Sequence, residues 1–388
     1  MTTIAAQVEW GARENGRRSP FDGLPKRLRL GTRRSPLART QSQWVADRLT
    51  AALALAWPGR PVEVELVEIT TEGDTSKASL AGLGGTGVFV SALRDALYDG
   101  RIDFAVHSLK DLPTAEAPGL TLAALPARVD PRDVLIARDG LTLAQLPLAA
   151  TVGTGSPRRA AQLRSLGRGL EVVDVRGNVD TRLRLVSNGV LDAIVLARAG
   201  LLRLSRETEA TEVLPTSVML PAPGQGALAV EARIEADPLR AALALLDDPA
   251  TRASVLAERA LLARLEAGCA APVGALAEVV EAAAGPELSL RAVVGSIDGL
   301  ISIRRTATLP LPGFARADPV AGLAQTRSDH PIVPALAVAD AAAALQLGRS
   351  LAEQMLADGA AELIPAPQLM PASLPTSGTA ARAREGDS

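Results

Sequence analysis

At 388 residues the chain is too long for one ordinary hydrophobic core, and two or three domains are expected. Hydrophobic residues make up 47% and charged residues 22%, a globular composition, while aromatic residues at 2% leave no stacking platform for single-stranded nucleic acid. Lys and Arg number 41 against 43 Asp and Glu, a net charge of -2, so no global field draws in nucleic acid or an anionic membrane, and anion binding has to be local.

Met1 to Lys26 carries Glu9, Arg13, Glu14, Arg17 and Arg18 and no apolar h-region, so it does not read as a secretory signal. No run reaches the roughly 18 apolar residues of a membrane span. A cytoplasmic protein without a membrane partner is expected, with residues 1–27 as a disordered leader. A single cysteine, Cys269, forbids an internal disulfide, and with only His107 and His330 beside it a metal site is not expected.

In chain order, Leu28 to Gly31 reads as a short strand, and Ser35-Pro36 opens a helix with Leu37, Gln41, Val45 and Leu49 at helical spacing. Val62 to Ile69 alternates as a strand does. The glycines between Thr71 and Thr86 suggest a mobile cover, followed by a helix from Val88 to Tyr98. Ile102 to Val106 is a strand that ends in His107-Ser108-Leu109-Lys110-Asp111.

From Asp133 a second series begins. Strands at Asp133 to Ala137, at Val152, at Leu170 to Val175 and at Ala193 to Leu196 alternate with helices, and Ala227 to Ala232 returns to the first domain. Crossings near Pro126 and Pro223 form a hinge. An amphipathic helix from Thr251 to Leu265 precedes Cys269. Strands follow at Leu276 to Val280, Leu288 to Val294 and Leu300 to Thr308, the last two joined by an Asp298-Gly299 turn, and a final helix covers Val338 to Leu356. The division is residues 28–126 with about 227–245, then 127–222, then 249–364, with a disordered tail over 365–388. The fold class is α/β, two βα domains plus a smaller α+β C-terminal domain.

Basic and hydroxyl residues stand where strands end and helices begin: Arg33 and Ser35, Ser108 and Lys110, Thr154, Ser156, Arg158 and Arg159, Arg176, Arg182 and Arg203. Free N–H groups, a partial positive charge and planar guanidinium groups suit carboxylate or phosphate there. Any one of these arginines alone could be a solvated surface residue; their convergence on consecutive turns points to a ligand with several acids. Arg17-Arg18-Ser19-Pro20 repeats Arg33-Arg34-Ser35-Pro36 without a strand before it, and is read as a decoy.

Asp111, the only acid in the 107–111 cluster, could stabilise positive charge on a substrate nitrogen or accept its proton. The plainer alternative is a helix N-cap before Leu112-Pro113. His107 reads as a packed polar residue. Cys269 lies in a loop of small residues, Gly268 to Pro272, which leaves a sulfur reachable for covalent attachment; no adjacent His supports a thiol hydrolase. A non-catalytic protein closing on a polyanion is the remaining alternative, and it would not need Cys269.

Six ordered segments resemble the porphobilinogen deaminase (hydroxymethylbilane synthase) family. They are Gly31 to Ala38, Val106 to Pro113, Gly153 to Arg159, Arg176 to Leu183, Pro223 to Ala227, and Ala257 to Ala260 through Gly268-Cys269. The likeness covers Leu28 to Thr308 and extends more loosely to Leu363. It implies two domains arranged like a type II solute-binding protein around a cleft, and a third bearing a dipyrromethane cofactor in thioether linkage to Cys269. Four porphobilinogen molecules add one by one with loss of ammonia, and water releases hydroxymethylbilane; the resemblance also suggests a monomer.

In site residues, the resemblance implies that Asp111 stabilises the cationic azafulvene-like species. Arg33, Ser35, Arg176 and Arg182 would bind acetate and propionate groups of the substrate, and Lys110, Ser108, Thr154, Ser156, Arg158, Arg159 and Arg203 those of the cofactor. Gly82 and Thr86 stand where many members have lysines, and Gly155 where a Ser is common.

Overall fold

The computed structural model describes residues 19–70, 87–268, 271–314 and 336–365. The expected mobile cover, Cys269 and the tail beyond Pro365 lie outside the described residues.

The first lobe is a five-stranded sheet. β1 (Arg27–Thr32) pairs in parallel with β2 (Glu63–Glu68) and β3 (Phe104–Ser108), and α1 (Pro36–Ala56) connects β1 to β2. α2 (Gly87–Tyr98) precedes β3, and β4 (Leu120–Ala124) forms one edge. From β4 the chain crosses to the second lobe, where β5 (Asp133–Ala137), β6 (Thr151–Gly153), β7 (Glu171–Val173), β8 (Ala193–Ala197) and β9 (Glu212–Val213) form another sheet. Helices α3 (Pro157–Arg164), α4 (Val179–Ser187) and α5 (Arg198–Arg203) follow β6, β7 and β8. β10 (Leu228–Arg233) then returns to the first sheet, antiparallel to β3 and β4, and leads into α6 (Asp237–Ala244).

The two sheets share one order, β2-β1-β3-β10-β4 and β7-β6-β8-β5-β9. In each, the strand that follows a crossing lies antiparallel beside the third parallel strand. This is the type II solute-binding arrangement, and it directs the C-terminal ends of the parallel strands of both lobes toward the hinge region.

The third unit is smaller and α+β. α7 (Pro249–Arg264) and α8 (Val338–Ala357), with α9 (Ala360–Leu363), cover an antiparallel meander of β11 (Val273–Ala282), β12 (Gly285–Gly295) and β13 (Ser302–Pro310). Its core is almost entirely Ala, Leu and Val, as an aromatic-poor chain requires. The Asp298-Gly299 turn joins β12 to β13, with Leu300 N donating to Asp298 Oδ1 at 3.0 Å.

The expected leader is corrected at its C-terminal end. Phe21 is 1% exposed and Leu24 is buried in the core of the first lobe, and Phe21 lies 5.6 Å from the Trp57 ring at the end of α1. Two apolar side chains outside the recognised motif supply a face that the sheet buries, which strand periodicity alone does not reveal. Phe21→Ala should lower the stability of the first lobe by about 3 kcal/mol. Urea unfolding followed by Trp fluorescence measures it, and an unchanged midpoint would return this segment to solvent.

Candidate active site

Two adjacent parallel strands deliver the first group of residues. At the end of β1, Arg33 and Ser35 precede α1, and Ser35 Oγ accepts from Ala38 N at 3.3 Å as its N-cap. At the end of β3, Ser108 leads into a 3-10 turn, Leu109–Asp111. Gln41 Nε2, one turn into α1, donates to Ser108 Oγ at 3.0 Å and ties the two strand ends together. Arg33, Ser35, Gln41, His107, Ser108 and Asp111 line one pocket. Asp111 closes the 3-10 turn and caps no helix, so the plainer sequence alternative for it falls away.

His107 is buried as expected. Its Nε2 lies 3.1 Å from Glu231 Oε2 on β10, and Arg94 of α2 donates to the same carboxylate at 2.9 Å. Burial works to raise the Glu231 pKa, but hydrogen bonds from His107 and Arg94 outweigh it and hold the group below its ordinary value.

In the second lobe Arg158 and Arg159, the second and third residues of α3, converge on the fully buried carboxylate of Asp133 at the start of β5. Arg158 Nη1 donates to Asp133 Oδ2 at 2.7 Å and to Leu220 O at 2.5 Å; Arg159 Nη2 donates to Asp133 Oδ1 at 2.8 Å and Nη1 to Val195 O at 3.1 Å. Gln225 Nε2, on the returning crossing, donates to Asp133 Oδ1 at 2.8 Å. Burial disfavours the ionised acid, yet the two guanidinium groups hold Asp133 well below the usual carboxylate range.

The two arginines are thus not open cations, as the strand-end pattern suggested, but partners of an acid the sequence reading missed. The available signal was Asp133 itself, a charged residue opening the apolar run Val134 to Ala137 just after a crossing.

Thr154 is buried and its Oγ1 accepts from Ser156 N at 3.2 Å, while Ser156 precedes α3 with no capping bond of its own side chain. At Gly155 a Cβ would lie 2.6 Å from Val175 O, so the backbone here excludes a side chain.

Lys110 joins the two lobes electrostatically. Loss of hydration pushes its pKa from 10.5 down to about 8; Asp111 and Asp133 oppose that shift, and Arg159 and Arg158 add to it. Arg182 lies in the same field: burial first, then Arg159 and Arg176, lower its pKa to about 10. Its Nε donates to Gly177 O at 2.9 Å. Arg176 is exposed and pairs with exposed Asp174 at 3.0 Å, an interaction worth less than about 1 kcal/mol, so its guanidinium is cheaply redirected to a ligand. Arg203 stands apart: its Nη2 donates to Gly226 O at 2.7 Å, on the hinge.

These residues fit a polycarboxylate bound between the lobes. Arg158 Nε is buried without a hydrogen-bond partner among the described residues, a donor that a ligand oxygen would satisfy. Cations exceed acids in the group formed by Lys110, Asp111, Asp133, Arg158, Arg159 and Arg182, whose surplus positive charge a polyacid neutralises.

Two measurements check this electrostatic arrangement. Asp133→Asn leaves two buried guanidinium groups without their counter-charge and should cost about 3–5 kcal/mol in urea unfolding; a loss below 1 kcal/mol, well under that estimate, would show the pair to be solvated. For Lys110 the folded pKa lies below the unfolded one, so between about 8 and 10.5 the unfolded chain binds the extra proton and the stability due to this group rises with pH. The stability difference between wild type and Lys110→Met should rise across that window, and a flat difference would refute the depressed pKa.

Comparison with known proteins agrees with the geometry. Residues 28–241 match the family described as porphobilinogen deaminase, dipyromethane cofactor binding domain, and residues 253–314 match porphobilinogen deaminase, C-terminal domain. Porphobilinogen deaminase 1 of Streptomyces coelicolor is 54% identical over 344 residues, covering 87% of this chain and 98% of that protein. Porphobilinogen deaminase of Mycolicibacterium paratuberculosis is 58% identical over 294 residues, covering 74% and 90%. A putative methionine-binding lipoprotein of Bacillus subtilis has a TM-score of 0.34 and 14% identity, covering 58% of this chain and 92% of that one, too distant to bear on the site. With both parts of the family matched in order and close relatives covering most of its length, this chain belongs to the porphobilinogen deaminase family.

Proposed function

We propose that this chain, a cytoplasmic monomer, condenses four porphobilinogen molecules head to tail with loss of ammonia and releases hydroxymethylbilane by hydrolysis, a transferase reaction of tetrapyrrole biosynthesis. The observation that carries this reading is one pocket holding Arg33, Ser35, Ser108 and Asp111, while Lys110, the neighbour of Asp111, lies in the field of Asp133, Arg158 and Arg159 across the crevice. Among the described residues Asp111 is the one acid lining that pocket, and across the wider group cations outnumber the two acids Asp111 and Asp133. A substrate that is both a polycarboxylate and the source of a transient cation needs that combination.

The dipyrromethane, when bound through a thioether to Cys269, supplies the pyrrole end that is extended. Lys110, Ser108, Thr154, Ser156, Arg158, Arg159 and Arg203 hold its carboxylates. Arg33, Ser35, Arg176 and Arg182 bind the acetate and propionate groups of the substrate and of the lengthening product, with the N-terminus of α1 adding its dipole beside Ser35. Asp111 faces the pyrrole nitrogen and stabilises positive charge there as ammonia departs, a role that needs a fixed carboxylate rather than a mobile one. Residues 127–222 shift as a unit around the lengthening chain, relative to residues 28–126 with about 227–245 and residues 249–364. No described helix is long and apolar enough to cross a membrane.

Intact mass and steady-state kinetics test the assignment together. Protein from cells should be heavier than its sequence by two linked pyrrole units, and Cys269→Ser should lose that increment. Asp111→Ala should keep the increment and the KM for porphobilinogen while kcat falls by about 100-fold or more. An unmodified wild-type mass with full activity, or an unchanged kcat in Asp111→Ala, refutes the corresponding part.

A further inference from the structure

We propose that Arg259 of α7 is a positioning residue for Asp111, so that the third unit of the fold, not the first lobe alone, fixes where the catalytic carboxylate sits. The proposal rests on the assignment of Asp111 made above.

Asp111 ends a 3-10 turn whose next two carbonyls, those of Leu112 and Pro113, both accept from one guanidinium: Arg259 Nη1 donates to Leu112 O at 2.9 Å and Nη2 to Pro113 O at 2.7 Å. A planar fork that holds two successive carbonyls fixes their relative orientation as well as their position, which an ammonium cannot do. Val255 lies one helical turn before Arg259, on the same face of α7, and packs in one cluster with Leu109 and Leu112. The same face of one helix thus shares an apolar cluster with both side chains that bracket Lys110-Asp111 and holds both backbone oxygens that follow them.

The opposite side of the turn is fixed by the hinge. Leu109 N donates to Ala227 O at 3.1 Å, and Gly224 (φ 73) comes so close that a Cβ there would meet Leu109 Cγ at 3.0 Å and Lys110 N at 3.3 Å. Gly224 N in turn donates to Glu258 Oε2 at 2.6 Å, and Glu258 is the residue beside Arg259. Glu258 is fully buried; it also accepts from Arg128 Nη1 at 2.6 Å, on the other crossing, and from Ala277 N at 2.8 Å on β11. Consecutive residues of α7 therefore hold the two hinge crossings and the catalytic turn against one rigid element. Movement of the second lobe about these crossings leaves Asp111 fixed relative to α7.

The test uses the full-length, cofactor-loaded protein. Arg259→Met should retain the cofactor mass and a KM within about twofold of wild type, but lose about 100-fold in kcat per loaded molecule, the scale of a misplacement of about 1 Å. Arg259→Lys keeps the charge but offers one donor nitrogen in place of the planar fork, and should recover part of that loss. If Arg259→Met does not fold, Arg259→Lys alone should still show kcat reduced by about tenfold at unchanged KM.

The decisive comparison is a double-mutant cycle with Asp111→Glu. If Arg259 acts through Asp111, Arg259→Met should change kcat by less than about threefold once Asp111→Glu has already displaced the carboxylate. Unchanged kcat in both Arg259 variants, or an equal fold-loss in the two backgrounds, overturns the positioning role and leaves Asp111 as assigned. Unchanged kcat in Asp111→Glu and Asp111→Ala alone overturns the Asp111 assignment, and the proposal with it.

Discussion

Guanidinium groups gathered in one place repel one another. Two like charges about 4 Å apart cost about 4 kcal/mol at an effective dielectric of about 20, so the cluster needs an internal counter-charge. Asp133 supplies it. With no exposure of its own it binds both Arg158 and Arg159, and Gln225 from the returning crossing donates to the same oxygen as Arg159. Removing three charges from water is costly, and the arrangement holds because nearly every donor and acceptor around the carboxylate is used. Among the described residues Arg158 Nε and Gln225 Oε1 are the exceptions.

The location of this acid has mechanical consequences. Asp133 opens β5, the strand on which the chain enters the second lobe, and Gln225 belongs to the segment on which it leaves. The cation cluster is therefore built onto the hinge itself. Lys110, from the first lobe, feels both arginines and Asp133, so charge placed between the lobes acts on residues of both.

A second buried acid, Glu258, does for the backbone what Asp133 does for the arginines. It collects Arg128, Gly224 N and Ala277 N, one from each crossing and one from the third unit. Apolar packing follows the same route, with Val255 of α7 among Leu109 and Leu112, and Leu276 and Val293 of the β11–β12 pair against Leu220. The third unit is thereby joined to the hinge region on two sides, although its own core of Ala, Leu and Val is separate.

Local pattern carried most of the secondary structure: the Ser35 cap, the strand at Asp133 to Ala137 and the final helix near Val338 lie where short-range periodicity and capping chemistry place them. The residues that end strands and start helices were equally legible, because the turn that exposes N–H groups is written in adjacent residues. Which charges meet was not legible. Asp133 and Arg158 are 25 positions apart, Arg128 and Glu258 130, and Arg259 and Leu112 147. Burial of Phe21 likewise depended on a sheet built from distant strands. The sequence alone determined the kinds of groups present and the short-range geometry of each turn, since those follow from neighbouring dihedrals and side chains. Only the tertiary structure decided which arginines are buried against an acid and which stay exposed, because desolvation and pairing are properties of where segments meet in space.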